Sequence, residues 1–89
     1  MPDIITPIVH MNGTSRQALV EQLCTAYRAV QDALDALSLA SPNGRDYYPE
    51  PGRLQKAEAQ HRARRTQLQA VADSLIAEAE AIQEQYPLR

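Results

Sequence analysis

In the stretch HMNGTSRQAL, His10, Asn12, Gly13, Thr14, Ser15 and Arg16 occupy six of seven consecutive positions. Thr14 and Ser15 are N-cap residues set just before an apolar spacing that starts at Leu19, so a helix begins inside this run. A helix start with free amides, a glycine, two hydroxyls, an imidazole and a guanidinium has the chemistry of an anion site. Plain capping by Thr14 or Ser15, with Asn12-Gly13 as a turn, accounts for part of the same run. Gly13 is the residue that permits a tight or left-handed backbone there.

Two further clusters carry chemistry. In NGRDYYPEP, Asn43-Gly44 signals a turn, and Arg45, Asp46, Tyr47 and Tyr48 follow it. One tyrosine can pack its ring on the helix ends, and the other can stack on a planar ligand or a partner surface. In AEAQHRARR, His61, Arg64 and Arg65 fall on neighbouring faces of a helix, and Arg62 can pair with Glu58 one turn back. Inward-facing His61 and Arg64 would need partners, with Asp32, Asp35 or a bound anion as the candidates.

Little points to catalysis. The chain has no P-loop, no HExxH and no recognisable Ser-His-Asp context, and nothing directs His10 and His61 to acid/base work. The expectation is a protein that is not an enzyme and has no metal or cofactor. The single cysteine, Cys24, reads as a small buried hydrophobe, and no signal peptide or membrane-length apolar run is seen. These features suggest a cytoplasmic protein without membrane contact.

The elements that must position these groups are legible from periodicity. Residues 1–13 read as an extended arm, at most an edge strand, because Pro7 cannot donate to a ladder. Residues 14–89 form the hairpin. Leu19, Leu23, Ala26 with Tyr27, Val30, Leu34 and Leu37 recur at three- and four-residue steps, which predicts a helix over about 15–40. Three prolines and two glycines in SPNGRDYYPEPG make 41–52 a loop. A second helix follows over about 53–85, stopped by Pro87. A heptad reading puts Leu54, His61, Leu68, Leu75 and Ile82 on one seam position and Ala57, Arg64, Val71 and Glu78 on the other.

The fold expected is therefore all-α: a short extended arm, then a long antiparallel two-helix hairpin. A chain of 89 residues has a marginal core, and a hairpin has two sides to cover with one partner helix. Assembly into a homo-oligomeric helical bundle, a dimer or higher, is expected. Charge is polarised along the second helix. Arg45, Arg53, Lys56, Arg62, Arg64 and Arg65 outnumber Asp46, Glu50 and Glu58, whereas Asp73, Glu78, Glu80 and Glu84 have no basic neighbour in their segment. The net charge of −2 and the long helices and loop argue against a specific DNA reader.

With VHMNGTSRQALVEQ, NGRDYY and AEAQHRAR in view, the chain resembles small, mostly uncharacterised proteins of tailed phages and prophages, over about residues 7–82. In architecture only, it is similar to oligomeric phage proteins that sequester cyclic-nucleotide immune signals. These likenesses imply a non-enzymatic oligomer in the host cytoplasm that binds a small nucleotide-type ligand in pockets between protomers. In that arrangement the helix start of one copy meets the loop and basic helix start of another, combining His10, Asn12, Gly13, Thr14, Ser15 and Arg16 with Arg45, Asp46, Tyr47, Tyr48, His61, Arg64 and Arg65. The alternatives are a helical-hairpin interaction module acting as inhibitor or adaptor on a host or phage protein, and a scaffold of virion or replication machinery.

Overall fold

The protein is described by a computed structural model covering residues 4–85. Two long helices pack against each other: α1, Arg16–Leu39, and α2, Arg53–Gln83. A single turn of 3-10 helix, Gly44–Asp46, lies in the loop between them, and there is no strand among the described residues. The expected hairpin is thus present, and each helix starts within a residue of its expected position. α2 ends at Gln83, before Pro87, which lies outside the described residues together with Tyr86.

Ser15 is the cap of α1, its Oγ accepting from the Ala18 amide at 3.1 Å. α2 starts differently. Gly52 holds φ +84 and offers no side-chain cap, so a left-handed residue turns the chain into the helix. Backbone turns step through the loop, with Tyr47, Glu50 and Arg53 amides donating to the Gly44, Tyr47 and Glu50 carbonyls.

The core is one seam between the helices. Val9, Leu34, Ala72, Ala79 and Ile82 are its buried apolar residues, and His61 is buried with them. One expected line of α2 is present: His61 and Ile82 are buried, with Leu54, Leu68 and Leu75 half-buried. The second line keeps half-buried Ala57 and is displaced by one residue beyond it. Arg65, Ala72 and Ala79 face α1, whereas Arg64 and Val71 are exposed and Glu78 is only half-buried. The physical reason is size. Alanines at 72 and 79, each four residues after a seam position, let the backbones approach along an i, i+4 ridge, which branched Val71 and charged Arg64 would hold apart.

The arm is tied down by one side chain. Gln85 donates from Nε2 to the Pro7 carbonyl at 2.6 Å and accepts from the Val9 amide on Oε1 at 2.9 Å. Its amide thus pairs with the arm as a neighbouring strand's backbone would, and buries Val9 in the process. Ile5, two residues before Pro7, and Ile8, between Pro7 and Val9, stay exposed.

Two substitutions separate the seam assignments. Ala72→Leu, at a site with no exposed surface, should cost about 1–3 kcal/mol by overpacking, while Val71→Leu should be close to neutral. Equal effects in urea unfolding would rule out the displaced seam. Gln85→Ala should cost about 1–3 kcal/mol for its two bonds to the arm and should speed proteolysis at Ile8.

Candidate functional site

The residues singled out for chemistry divide between the two ends of the hairpin. His10 to Arg16 lie at the start of α1, and Arg45 to Tyr48 lie beyond its other end. A helix of 24 residues separates them by about 36 Å at 1.5 Å per residue. His61, two turns into α2, belongs to the loop end with Arg64 and Arg65.

At the open end, the His10 carbonyl accepts from the Gly13 amide at 3.2 Å, closing a turn. Gly13 is not left-handed; Gly52 is the described glycine with positive φ. The imidazole of His10 rests over Gly13: a Cβ there would stand 2.8 Å from His10 Nε2, the far end of an exposed side chain that can turn aside. Asn12, Thr14 and Ser15 are exposed. A groove of about 670 Å³ runs between arm and helix, lined by Thr6, Pro7, Ile8, His10, Gly13, Thr14 and Leu19.

Arg16 turns away from that groove. Its Nη2 donates to the Gln85 carbonyl, just past the end of α2, and its Nε is buried without a hydrogen-bond partner. α2 has no basic residue in its own last turn. Arg16 supplies the missing cation from the other helix, where carbonyls and helix dipole both favour it.

The loop end is built on the same plan. α1 also lacks a basic residue in its last turn. Ser41 Oγ lies 2.7 Å from the Ser38 carbonyl and 3.1 Å from His61 Nε2. The one hydroxyl proton goes to the carbonyl, so His61 donates from Nε2, which fixes the tautomer. Arg65 Nη1 donates to Ser38 Oγ at 3.2 Å, and that hydroxyl in turn bonds the Leu34 carbonyl. His61 and Arg65 therefore serve the carbonyl end of α1 through two serines. Asp32 and Asp35, expected as partners of inward-facing His61 and Arg64, are exposed, and so is Arg64 itself.

The loop tip keeps the groups that the fold does not use. Tyr48 is 82% exposed, Tyr47 is half-buried, and Arg45 and Asp46 are exposed. Asn43 Oδ1 accepts from the Arg45 amide at 2.9 Å, which confirms the turn at Asn43-Gly44. Beside the tyrosines lies a groove of about 590 Å³, lined by Tyr47, Pro51, Arg53, Lys56 and Gln60 among others. Arg53 is paired with Glu50, the ion pair found among the described residues in place of Arg62 with Glu58. Lys56 has no such partner there.

Sequence reasoning did not reach Ser38, Ser41 or Gln85. The usable signal was indirect: two helices without a basic residue in their last turns, with arginines at 16 and 65 and a histidine donor at 61 placed to supply them. On the opposite side, Cys24 is half-buried in an apolar groove with Val20, Ile76 and Ala79, rimmed by Glu80 and Glu84.

By architecture the chain is an all-α antiparallel helical hairpin with a pinned N-terminal arm. No family model matches it, and comparison with curated proteins and with solved structures returns no match. No described helix is long and apolar enough to cross a membrane.

Arg16→Ala should therefore lower stability by about 1.5–3 kcal/mol, the worth of a charged hydrogen bond at a helix end. Thr14→Ala, which removes no hydrogen bond given for this end, should stay within about 0.5 kcal/mol. An Arg16→Ala protein as stable as the wild type would free Arg16 for ligand binding.

Proposed function

We propose that the protein is a non-enzymatic interaction module whose loop tip docks onto another protein, as an inhibitor or adaptor would. One observation carries this reading: Tyr48 stands 82% exposed beside half-buried Tyr47 and a groove holding Lys56. Tyrosine is among the residues that dominate protein interfaces, and water exclusion around it sets affinity. The support here is rigid because His61 and Arg65 tie the end of α1 to α2 just behind the tip. The resemblance to phage proteins makes a host or phage protein in the host cytoplasm the natural target. Lys56 and Arg45 favour a partner surface with acidic groups.

A second reading is favoured by the same groove. Tyr47 and Lys56 offer a stacking ring and a cation to a small nucleotide-type ligand, beside Arg53 paired with Glu50. Sequestration of such a signal would use pockets completed between protomers, with His10, Asn12, Gly13 and Thr14 of one copy near the tip of another. Arg16, His61 and Arg65 contribute less in either reading, because each already holds a helix end.

Thermal shift against cyclic di- and trinucleotides separates the two. A sequestered ligand at one hundred times its Kd adds about 2.7 kcal/mol of stability, or about 10–20 °C in a domain of this size. The docking reading expects no such shift. It expects one stoichiometric protein partner from the producing cell, retained by the wild type and by Thr14→Ala but lost with Tyr48→Ala. A nucleotide shift abolished by Tyr48→Ala would overturn docking in favour of sequestration.

A further inference from the structure

We infer that a second copy of this chain covers one flank of the hairpin, with a two-fold axis perpendicular to the helices. The flank is made of the exposed arm residues Ile5 and Ile8, the uncharged side of α1, and Val71 of α2. It borders the groove at the loop tip, with which it shares Lys56.

Area gives the first argument. A compact protein of this mass exposes about 5,200 Å² by the size scaling of monomers, whereas this chain exposes 6971 Å². The excess is more than twice the roughly 800 Å² that one partner contributes to a standard interface. The cause is the single seam of an elongated molecule measuring 66 × 22 × 16 Å.

Charge placement selects the flank. At 100° per residue, Glu21, Arg28, Asp32 and Asp35 of α1 share one side of the helix. The side across the seam from them carries Leu19, Gln22, Ala26, Ala29, Ala33, Ala36 and no charge. Val20 and Cys24 share a groove with Ile76 and Glu80, which places the charged sides of both helices together. The opposite flank therefore joins Ala26, Ala29 and Ala33 to Arg64, Val71 and Glu78. The arm lies on this flank too, since Ile8 and Leu19 line one groove. Ile8 is 64% and Val71 48% exposed there, and Ile5 of the same arm is 84% exposed. Isolated apolar residues on a surface need no explanation, but here an uncharged face of α1 adjoins exposed Ile8 and Val71, and the charges of the flank, Lys56, Arg64 and Glu78, all lie on α2.

Charge also selects the axis. α2 is basic towards the loop, with Lys56 and Arg64 on this flank, and acidic towards the open end, with Glu78. An axis perpendicular to the helices levels the basic half of one copy with the acidic half of the other. An axis parallel to them would level basic with basic and acid with acid, which costs affinity. The perpendicular axis also brings each arm, with Ile5 and Ile8, over the Ala33 and Ala36 end of the opposing flank.

The test is sedimentation equilibrium of the full chain. The wild type should sediment at about twice 9.9 kDa. Ala33→Glu, at a position exposed in one chain, should leave helicity unchanged and weaken dimerisation roughly a hundredfold or more, because it buries an unpaired carboxylate in each half. Gln83→Glu, in the groove on the other side, should leave the dimer intact. Lys56→Glu and Glu78→Lys should each weaken the dimer, and the two together in one chain should restore it. A monomeric wild type, a dimer broken by Gln83→Glu but not by Ala33→Glu, or a double variant weaker than both single ones would overturn the inference. Circular dichroism on each variant separates dissociation from unfolding.

Discussion

Each helix of this hairpin ends on carbonyls that a residue of the other helix must serve, and the rest of the structure is arranged around that exchange. Arg16 from the start of α1 meets the Gln85 carbonyl past α2, while His61 and Arg65 from α2 reach the end of α1 through Ser41 and Ser38. A helix terminus leaves four carbonyls without intrahelical partners and a partial negative charge. Cations in the last turn of the same helix usually answer it, and neither helix has one. Supplying them across the seam makes helix termination and helix pairing a single event. Sliding one helix by a turn would break both ends at once, so the register is fixed where a seam rich in small alanines specifies it weakly.

That exchange explains why polar residues sit where a coiled coil would place leucine. His61 occupies a seam position and is buried, yet it donates to a hydroxyl whose own proton is already directed to a carbonyl. Burial of a polar group is tolerable when its hydrogen bond is made and costly when it is not. The arrangement gives the loop end a polar network and leaves the apolar part of the seam, Ala72, Ala79 and Ile82, to the open half, where the arm adds Val9. Gln85 then holds the arm in the way the serines hold the helix end, with one amide satisfying two backbone groups.

The helices and the loop were legible because their signals are local. Leucine spacing, Ser15 and the proline-glycine cluster each act within a few residues, and both helix starts lie within a residue of the positions they indicate. The second seam line was not legible. Alanines at 57, 72 and 79 and cations at 64 and 65 permit two registers in sequence, and only close contact between backbones chooses 65, 72 and 79. The candidate site was harder still. Arg16 bonds a residue 69 positions away, so nothing in its neighbourhood distinguishes a ligand contact from a clamp. His10 and Gly13 do act together, but as an imidazole resting on a glycine rather than as a left-handed turn.

Division of labour among the basic residues follows. Arg16, His61 and Arg65 hold helix ends and Arg53 is paired with Glu50, while Lys56 and Arg45 near the tip, like Arg28, Arg62 and Arg64 along the helices, make no side-chain bond among the described residues. A small fold with one seam has little stability to spare, and exposed Tyr48 adds nothing to that seam. Tyr48 has no packing role to explain it at 82% exposure, and the clamp directly behind it means that contact there would order few further residues. Low ordering cost is what lets a small, rigid tip bind with few contacts.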